Sequence, residues 1–318
     1  MKRILSLALC VLLVMGLFAG CGNAESENTT TETTVADVPD DGILKILAIG
    51  NSFSEDAMQM LYEIAQAEGK EQIVLGNMVI GGCSLNTHAK HTTSNEKAYT
   101  FYFNDKGFWN TEDKCTLQAG IRRADWDIIT IQQASNASGK ANTYNQDIQT
   151  IVDYIHKNKA NPGAKILWHM TWAYKLDSTS EEFANYDYNQ TTMYEAITGA
   201  VQEKIVPDSA FSGVLPSGTA IQNARSSYLG DVMNRDGAHL SDLGRVIAGY
   251  TWYCVLTGKT LDTISLNAVP DRLTKSYDMP GDMVLTEGEK LVIAEAVKNA
   301  IANPYTVTQS QYTTEPGK

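Results

Sequence analysis

The strongest constraint on the fold is the alternation of short apolar runs with longer stretches of helical periodicity. The apolar runs cover residues 43–49, 72–80, 126–131, 165–171 and 210–215, and the helical patterns cover residues 55–65, 145–159, 188–205, 241–257 and 287–302. Strands that alternate with helices predict βαβ units and a parallel sheet covered on both faces. We therefore expect a three-layer α/β/α sandwich around a five-stranded parallel sheet. A ligand is expected beyond the carboxyl ends of the strands, where the strand order reverses.

The first residues predict an export signal, residues 1–20, that is removed from the mature protein. Lys2 and Arg3 precede an almost wholly apolar stretch, residues 4–18, and small residues then lead to Cys21. This order resembles a bacterial lipoprotein signal, which implies that Cys21 is lipidated and anchors an exported protein to the cell envelope. The alternative is an ordinary membrane anchor, although the stretch is shorter than the roughly 20 apolar residues that a spanning helix needs.

Composition divides the rest of the chain into three parts. Residues 21–42 are rich in Ser, Thr, Glu and Asp and contain no Lys or Arg, which predicts a solvated acidic tether. Residues 43–305 contain no internal repeat and no Pro/Ser-rich break, so they predict one domain. Residues 306–318 predict a flexible C-terminal tail.

Charge and cysteine content exclude several classes of function. The formal net charge is −12, so the protein has no electrostatic reason to bind nucleic acid, and neutral or sugar-like substrates are easier to admit than polyanions. Cys83, Cys115 and Cys254 allow at most one disulfide. The sequence contains no C-x-x-C motif, so it does not predict a thiolate zinc site. Cys254 lies in an apolar helical pattern and is expected in the core.

One region interrupts the alternation of strands and helices. Aromatic residues are frequent between Gly82 and Trp126, and residues 104–107 predict a hairpin turn between two aromatic strands. Two interpretations remain open for residues 86–125. They form either a lid over the site, since long insertions in compact domains are often functional, or a structural excursion whose aromatic side chains cover a sheet edge.

The end of the first strand carries a candidate nucleophile, in the segment Gly50-Asn51-Ser52-Phe53-Ser54. Gly50 permits a sharp turn, and Ser54 is placed to cap the helix that follows. Ser52 then lies where backbone N–H groups converge and where the helix dipole favours developing negative charge. Alone, a serine in such a turn is usually only a helix cap.

A candidate base follows the fifth strand, in the segment Asp236-Gly237-Ala238-His239. A serine hydroxyl needs a base to take its proton, and imidazole serves near neutral pH. A carboxylate on the other ring nitrogen fixes the tautomer and stabilises the imidazolium. An aspartate three residues before the histidine can fold back onto it within one turn. A D-x-x-H segment by itself is no more than a loop aspartate and an exposed histidine.

Taken together, the Ser52 segment and the Asp236-x-x-His239 segment resemble the SGNH/GDSL hydrolase superfamily. The correspondence spans residues 43–257, with the nucleophile block first and the Asp/His block last. Residues 218–225 resemble an uncharacterised bacterial branch of it. The resemblance implies a flavodoxin-like α/β/α fold, an esterase with Ser52, His239 and Asp236 as catalytic triad, and no cofactor.

The resemblance also implies an oxyanion hole. Its donors are the amide of Ser52, a glycine after the second strand and an asparagine after the third. Gly82 fits the glycine, since it lacks a side chain and its N–H can approach a ligand closely. The chain departs from the pattern at the asparagine, where it reads Gln132-Gln133-Ala134-Ser135-Asn136. A glutamine amide can donate the same hydrogen bond, so Gln133 is the first candidate and Asn136 the second.

Four further residues are candidates for substrate binding. Trp168, His169 and Trp172 end the fourth strand, where aromatic rings would stack on a sugar and suit the deacetylation of a glycan. The alternative is a buried strand with aromatic residues at its rim. Arg225 either binds a substrate carboxylate or forms an ion pair, and we expect the ion pair.

Two other functions compete with the esterase. A metal site at His88-x-x-His91 lacks a third ligand in the sequence. A non-catalytic, glycan-binding lipoprotein on the same fold is favoured by the altered asparagine block. Geometry separates that protein from an esterase, because an esterase requires Ser52 and His239 within hydrogen-bond reach, and the Gln133 amide aimed at the same point.

Overall fold

The computed structural model describes residues 42–69, 72–260 and 285–317. The predicted export signal, Cys21 and all of the predicted tether except Gly42 lie outside the described residues. Within those three ranges, no helix combines the length and apolar character needed to cross a membrane.

The described residues contain one seven-stranded sheet. Its strands are β1 (Leu44–Gly50), β2 (Ile73–Val79), β3 (Tyr99–Asn104), β4 (Asn110–Cys115), β5 (Ile128–Ile131), β6 (Lys165–His169) and β7 (Gly213–Leu215). They lie in the order β4-β3-β2-β1-β5-β6-β7. Strands β2, β1, β5, β6 and β7 are mutually parallel and correspond to the five predicted strands.

The order of the parallel strands locates the expected ligand site. Numbered among themselves along the chain, the five parallel strands lie in the order 2-1-3-4-5, which is the flavodoxin-like arrangement. The order reverses at β1, so a crevice opens between the carboxyl ends of β1 and β5. Ser52 follows β1 directly and Gln132 follows β5, and both residues therefore lie at the reversal point.

The prediction of a purely parallel, five-stranded sheet is wrong because the aromatic insertion joins the sheet. Strand β3 pairs antiparallel with β2, from Leu75 opposite Asn104 to Val79 opposite Thr100, and β4 pairs antiparallel with β3. The β3–β4 hairpin therefore extends the sheet and covers the edge of β2, as in the second interpretation of this region. It leaves β2 an internal strand, and the hairpin itself is no lid.

Helices cover both faces of the sheet. They are α1 (Ser52–Met58), α2 (Leu61–Ala67), α3 (Leu85–Ser94), α4 (Leu117–Ile121), α5 (Gln146–Asn158), α6 (Gln190–Lys204), α7 (Ser217–Arg225), α8 (Asp242–Thr257) and α9 (Glu287–Ala302). The alternation of side chains along β2 shows the two faces. Asn77 bonds Ser54 of α1 on one face, whereas Met78 packs against Gly120 of α4 on the other.

The predicted tail also packs onto the domain. The N–H of Thr308 donates to Asn223 Oδ1 at 2.8 Å, and that of Ser310 donates to Ser226 Oγ at 2.9 Å. The carbonyl of Tyr312 accepts from the N–H of Tyr228 at 2.8 Å. These bonds attach residues 308–312 to the carboxyl end of α7, so this part of the segment differs from the flexible tail that its composition predicts.

Candidate active site

Ser52 lies in a tight turn between β1 and α1. Helix α1 begins at Ser52, and its N-cap is Asn51, whose side chain accepts a hydrogen bond from the N–H of Phe53 at 2.9 Å. The prediction that Ser54 caps the helix is wrong, because Ser54 is already inside it. Its buried hydroxyl lies 2.8 Å from the carbonyl of Asn51 and 2.9 Å from Asn77 Oδ1. A Cβ at Gly50 would lie 2.7 Å from that hydroxyl, so the turn requires glycine there.

Ser52, His239 and Asp236 form a continuous hydrogen-bonded chain. The hydroxyl of Ser52 lies 2.9 Å from His239 Nε2, and His239 Nδ1 lies 2.9 Å from Asp236 Oδ2. The Asp236 and His239 side chains retain 50 % and 33 % exposure, so solvent and substrate can approach them. The structure therefore brings Ser52 together with His239, which lies 187 positions later in the sequence, and with Asp236 beside it.

The carboxylate of Asp236 is held in its ionised form. Its other oxygen, Oδ1, accepts hydrogen bonds from the N–H groups of Ala238 at 2.8 Å and His239 at 2.7 Å. Burial raises the pKa of Asp236, but these bonds and the His239 ring outweigh burial, so the pKa lies below its ordinary value. An ionised Asp236 accepts a hydrogen from Nδ1 and leaves the Nε2 lone pair directed at Ser52, as a general base requires.

A buried carboxylate, not anticipated from the sequence, joins α1 to the loop between α7 and α8. We call this loop, which carries Asp236 and His239, the base loop. Asp56 is 1 % exposed and lies one helical turn after Ser52. Its Oδ2 accepts from the N–H of Leu240 at 2.8 Å, and its Oδ1 pairs with Arg245 Nη2 at 2.7 Å and Arg235 Nη1 at 2.8 Å. We call these three charged residues the Asp56 cluster. Its sequence signal is Arg245 within the mainly apolar pattern of α8, whereas Asp56 has the same pattern as an ordinary acidic residue at a helix N-terminus.

Trp172 holds the base loop in place by ring packing and by a hydrogen bond. Its ring stacks on Phe53 with centroids 4.3 Å apart, and Phe53 meets the His239 ring edge-on at 5.8 Å. The indole Nε1 donates to the carbonyl of Ala238 at 2.8 Å, and Asn234 Nδ2 donates to the same carbonyl at 2.9 Å. Two hydrogen bonds therefore hold Ala238, the residue before His239, in position.

The prediction that Trp168, His169 and Trp172 contact substrate is wrong. Their exposures are 1 %, 1 % and 0 %, and His169 packs edge-on against Trp252 of α8 with ring centroids 5.0 Å apart. Trp168 packs between Tyr144 and Phe211, with centroids at 5.1 and 5.7 Å. These side chains belong to the interior and offer no surface to a sugar ring.

Arg225 forms the predicted ion pair and does not face substrate. Its Nε lies 2.8 Å from Asp231 Oδ1, and its Nη2 donates to Asn234 Oδ1 at 2.6 Å and to the carbonyl of Ala173 at 3.0 Å. Burial lowers the pKa of Arg225 to about 10, and Asp231 opposes that shift. Arg225 thus fixes Asn234, which in turn holds Ala238 beside the base.

Two of the expected oxyanion groups lie at the ends of β1 and β2. Gly82 follows β2 with φ +64°, and a Cβ there would meet nothing within 4 Å, so its backbone borders open space. The side chain of Asn51 donates to the carbonyl of Cys83 at 3.1 Å, which ties this glycine turn to the start of α1. The amides of Ser52 and Gly82 are therefore both close to the nucleophile turn.

Gln133 is a poor oxyanion donor, so the prediction for this side chain is wrong. It is buried, its Oε1 accepts from the N–H groups of Leu85 at 3.1 Å and Ala134 at 2.8 Å, and its Nε2 donates to Thr143 Oγ1 at 3.0 Å. Both ends of the Gln133 amide are therefore occupied by hydrogen bonds to the neighbouring loops, and its Nε2 bonds Thr143 and not Ser52. Asn136 is exposed in a short 3-10 turn, Ser135–Ala137, and remains a prediction.

The ring nitrogens of His88 and His91 lie against α3 and β3 residues, and not against Ser52, Asp236 or His239. His88 is buried with Nδ1 2.8 Å from the Tyr99 hydroxyl, and burial lowers its pKa to about 3. His91 Nδ1 lies 3.3 Å from Ser94 Oγ. Among residues 42–69, 72–260 and 285–317, no three His, Cys, Asp or Glu side chains are arranged to hold a metal ion.

Comparison with known proteins identifies the family. Residues 45–280 match the model of a domain of unknown function, DUF4886, and the chain belongs to this family. The crystal structure of a DUF4886 family protein from Bacteroides uniformis is similar, with a TM-score of 0.74 and 36 % identity over 84 % of this chain and 98 % of that one. No curated protein matches the sequence.

More distant solved structures are also similar. A candidate SGNH hydrolase from Slackia heliotrinireducens has a TM-score of 0.42 and 18 % identity, covering 66 % of this chain and 96 % of that one. An acetylxylan esterase from Geobacillus stearothermophilus has a TM-score of 0.40 and 10 % identity, covering 74 % and 97 %. At these scores the activities of those proteins do not transfer to this chain.

Proposed function

We propose that this DUF4886 protein is a serine esterase that hydrolyses acyl or acetyl esters, with a carbohydrate as the carrier of the ester. The observation that supports the proposal is the hydrogen-bonded chain from Ser52 through His239 to Asp236, with 2.9 Å at both links. Binding alone requires none of these three side chains in this arrangement. A nucleophile, a base and an orienting carboxylate are what acyl transfer requires.

The reaction proceeds in two steps. Ser52 Oγ attacks the ester carbonyl as His239 Nε2 takes its proton, and the new Oγ–C bond gives a tetrahedral oxyanion. His239 then gives that proton to the leaving alcohol as its C–O bond breaks, which leaves an acyl-enzyme. A water that loses its proton to His239 attacks the acyl carbon, and the carboxylic acid leaves as Ser52 recovers its proton.

The oxyanion is held by backbone N–H groups in this proposal. The amides of Ser52 and Gly82 lie on the two turns that Asn51 joins, and Gly82 borders open space. Backbone donors at fixed positions stabilise the charge that develops on the carbonyl oxygen. Asn136 is the candidate for a third donor. Removal of one such donor typically costs roughly 100- to 1,000-fold in rate.

Exposure and charge favour an ester carried on a large neutral molecule. Asp236 and His239 are partly exposed, so a bulky alcohol can remain outside while its ester reaches Ser52. The net charge of −12 disfavours polyanionic carriers. The lipoprotein-like signal of residues 1–20 and the candidate lipidation site Cys21 support an exported protein anchored to the cell envelope, where such glycans occur.

A non-catalytic glycan-binding protein is the second candidate. The observation that favours it is Gln133, whose amide is bonded to Thr143 and does not serve the site. This second function predicts that the protein binds a glycan and does not hydrolyse the esters on it.

Hydrolysis of p-nitrophenyl acetate by the purified protein tests the proposal. We expect turnover that falls at least 1,000-fold in Ser52→Ala and in His239→Ala, since the triad acts as a unit. The matched control is His156→Ala, an exposed histidine of α5, which keeps the full rate. A fluorophosphonate that adds one phosphonyl group at Ser52, detected by intact mass, supports the same conclusion. Turnover that survives Ser52→Ala, or no turnover and no labelling with measurable glycan binding, would overturn it.

A further inference from the structure

A chain of three buried polar side chains lies behind the nucleophile turn. Asn51, Gln132 and His169 are 2 %, 1 % and 1 % exposed. Gln132 Nε2 lies 2.9 Å from Asn51 Oδ1, and Gln132 Oε1 lies 2.9 Å from His169 Nδ1. We call these three residues the amide chain. It runs from the end of β1 across the end of β5 to the end of β6.

Two backbone groups determine the direction of every hydrogen bond in the amide chain. The carbonyl of Cys83 can only accept, so the atom of Asn51 that faces it at 3.1 Å must be the amide nitrogen. The N–H of Phe53 can only donate, so the atom of Asn51 that faces it at 2.9 Å must be the oxygen. The orientation of the Asn51 amide is therefore fixed by its surroundings.

The orientation of Asn51 determines that of its neighbours. Since Asn51 Oδ1 accepts, Gln132 must present its Nε2 hydrogen and must turn its oxygen towards His169. His169 Nδ1 must then carry a hydrogen, and Nε2, which is buried without a partner, keeps its lone pair. The two amides and the imidazole together have one self-consistent arrangement.

We infer that Asn51 is a positioning residue for the oxyanion hole, an inference that rests on the proposed esterase function. One side chain holds the first turn of α1, which carries the Ser52 amide, and the carbonyl of Cys83, next to Gly82. It thereby sets the separation of the two N–H groups that receive the oxyanion. Gln132 and His169 hold Asn51 in the orientation that this task requires.

This positioning role requires an asparagine at position 51, and an aspartate of the same shape does not fulfil it. A carboxylate at position 51 still accepts from Phe53 and Gln132, but it has no hydrogen for the carbonyl of Cys83. The two oxygens then repel each other at about 3 Å, and the glycine turn moves away from Ser52. A displacement of about 1 Å in such a site costs on the order of 100-fold in rate.

Steady-state kinetics with p-nitrophenyl acetate tests the positioning role. We expect Asn51→Asp to lower kcat about 10- to 100-fold with KM within about twofold, since the group acts on the transition state and not on substrate binding. Gln132→Glu keeps the bond to Cys83 and should lower kcat less. The matched control is Asn185→Asp, which removes an exposed amide-to-carbonyl bond of 2.7 Å to Glu182 and leaves kcat unchanged. A kcat of Asn51→Asp within twofold of the unaltered protein would overturn the inference.

Nitrogen NMR of the His169 ring tests the amide chain without any activity. We expect a neutral ring with its hydrogen on Nδ1 from pH 6 to 8, since burial lowers the pKa of His169 to about 3. A hydrogen on Nε2 would overturn the inference, whatever the kinetics show. If the unaltered protein neither turns over esters nor labels at Ser52, the esterase proposal fails and the positioning role fails with it. The NMR result still decides the hydrogen-bond directions in that case.

Discussion

The two halves of the candidate site are built in different ways. Ser52 and Gly82 follow directly from the ends of adjacent parallel strands, so their positions depend on backbone pairing between β1 and β2. Asp236 and His239 lie on an irregular loop between α7 and α8. Side chains from elsewhere in the chain hold that loop in place, among them the buried Asp56 and Arg245 of the Asp56 cluster.

The sheet positions only the half of the candidate site that carries Ser52 and Gly82. A sheet places the nucleophile at its carboxyl edge because strand pairing fixes each residue within a ladder. The base loop has no such strand pairing, apart from one isolated β-bridge between Asn234 and Leu240. We therefore expect substitutions that break long-range side-chain contacts to disturb the base loop more than the nucleophile half.

The largest effect is expected at Asp56. Asp56→Ala removes the buried carboxylate that pairs with Arg235 and Arg245 and accepts from the N–H of Leu240, although Asp242 still lies 3.8 Å from Arg245. Breaking a buried ion pair typically lowers the free energy of unfolding by about 3–5 kcal/mol. Urea denaturation measures this loss, and kcat should fall because His239 moves relative to Ser52.

The matched control for Asp56 is Asp125→Ala. Asp125 forms an ion pair with Lys45 at 3.3 Å, but its side chain is 66 % exposed, so the loss should stay below about 1 kcal/mol. If Asp56→Ala were no more costly than Asp125→Ala, contacts other than the Asp56 cluster would hold the base loop in place.

Acid should weaken the nucleophile half through its buried histidine. Burial lowers the pKa of His169, and likewise that of His88, from 6.5 to about 3. Between these values the unfolded chain binds protons that the folded protein excludes, so the free energy of unfolding falls as the pH falls below about 6.5. The slope is up to about 1.4 kcal/mol per pH unit for each imidazole. Glu63, whose pKa burial raises from 4.5 to about 7, opposes one of the two imidazoles over most of this range.

Urea denaturation at pH 7, 6 and 5 measures this dependence. His88→Gln removes one of the two buried imidazoles and should lower the slope by up to about 1.4 kcal/mol per pH unit, whereas His156→Gln, at an exposed position of α5, should change it less. A slope for His88→Gln equal to that of the unaltered protein would show that the buried His88 ring does not resist protonation.

The smallest effect is expected at Gly82. Its φ of +64° is strained for any residue with a Cβ, so Gly82→Ala should lower the free energy of unfolding by about 1–2 kcal/mol. The same change should lower kcat, since the turn that presents its N–H shifts. Gly81→Ala is the matched control, because Gly81 also borders open space but does not have positive φ. Identical effects at both positions would remove the special role of the Gly82 backbone.

Sequence predicted the parts of the molecule that depend on local pattern. Apolar periodicity located the five parallel strands and most of the long helices, and the two short segments around Ser52 and His239 predicted side chains that the structure brings within 2.9 Å. Cys254 is buried as its helical pattern predicted.

The remaining features depend on pairings that a single segment does not encode. Nothing in the aromatic hairpin specifies that its partner is the edge of β2, so its place in the sheet was not predictable. The rim aromatics Trp168 and Trp172 look like substrate platforms in sequence, but tertiary packing buries them. Gln132 and Gln133 are adjacent and identical in type, and only the three-dimensional contacts show which amide meets Asn51.

The hairpin that widens the sheet also determines how the sheet ends. Strand β4 forms its outer border, and all its residues but Cys115 are exposed, with Glu112, Asp113 and Lys114 in succession. Its pairing with β3 shifts register, and Lys114 has φ +59°. Charged side chains and an irregular backbone discourage a strand of another molecule from adding to such a border. The opposite border, β7, has only three residues, so both margins of the sheet resist self-association into extended aggregates.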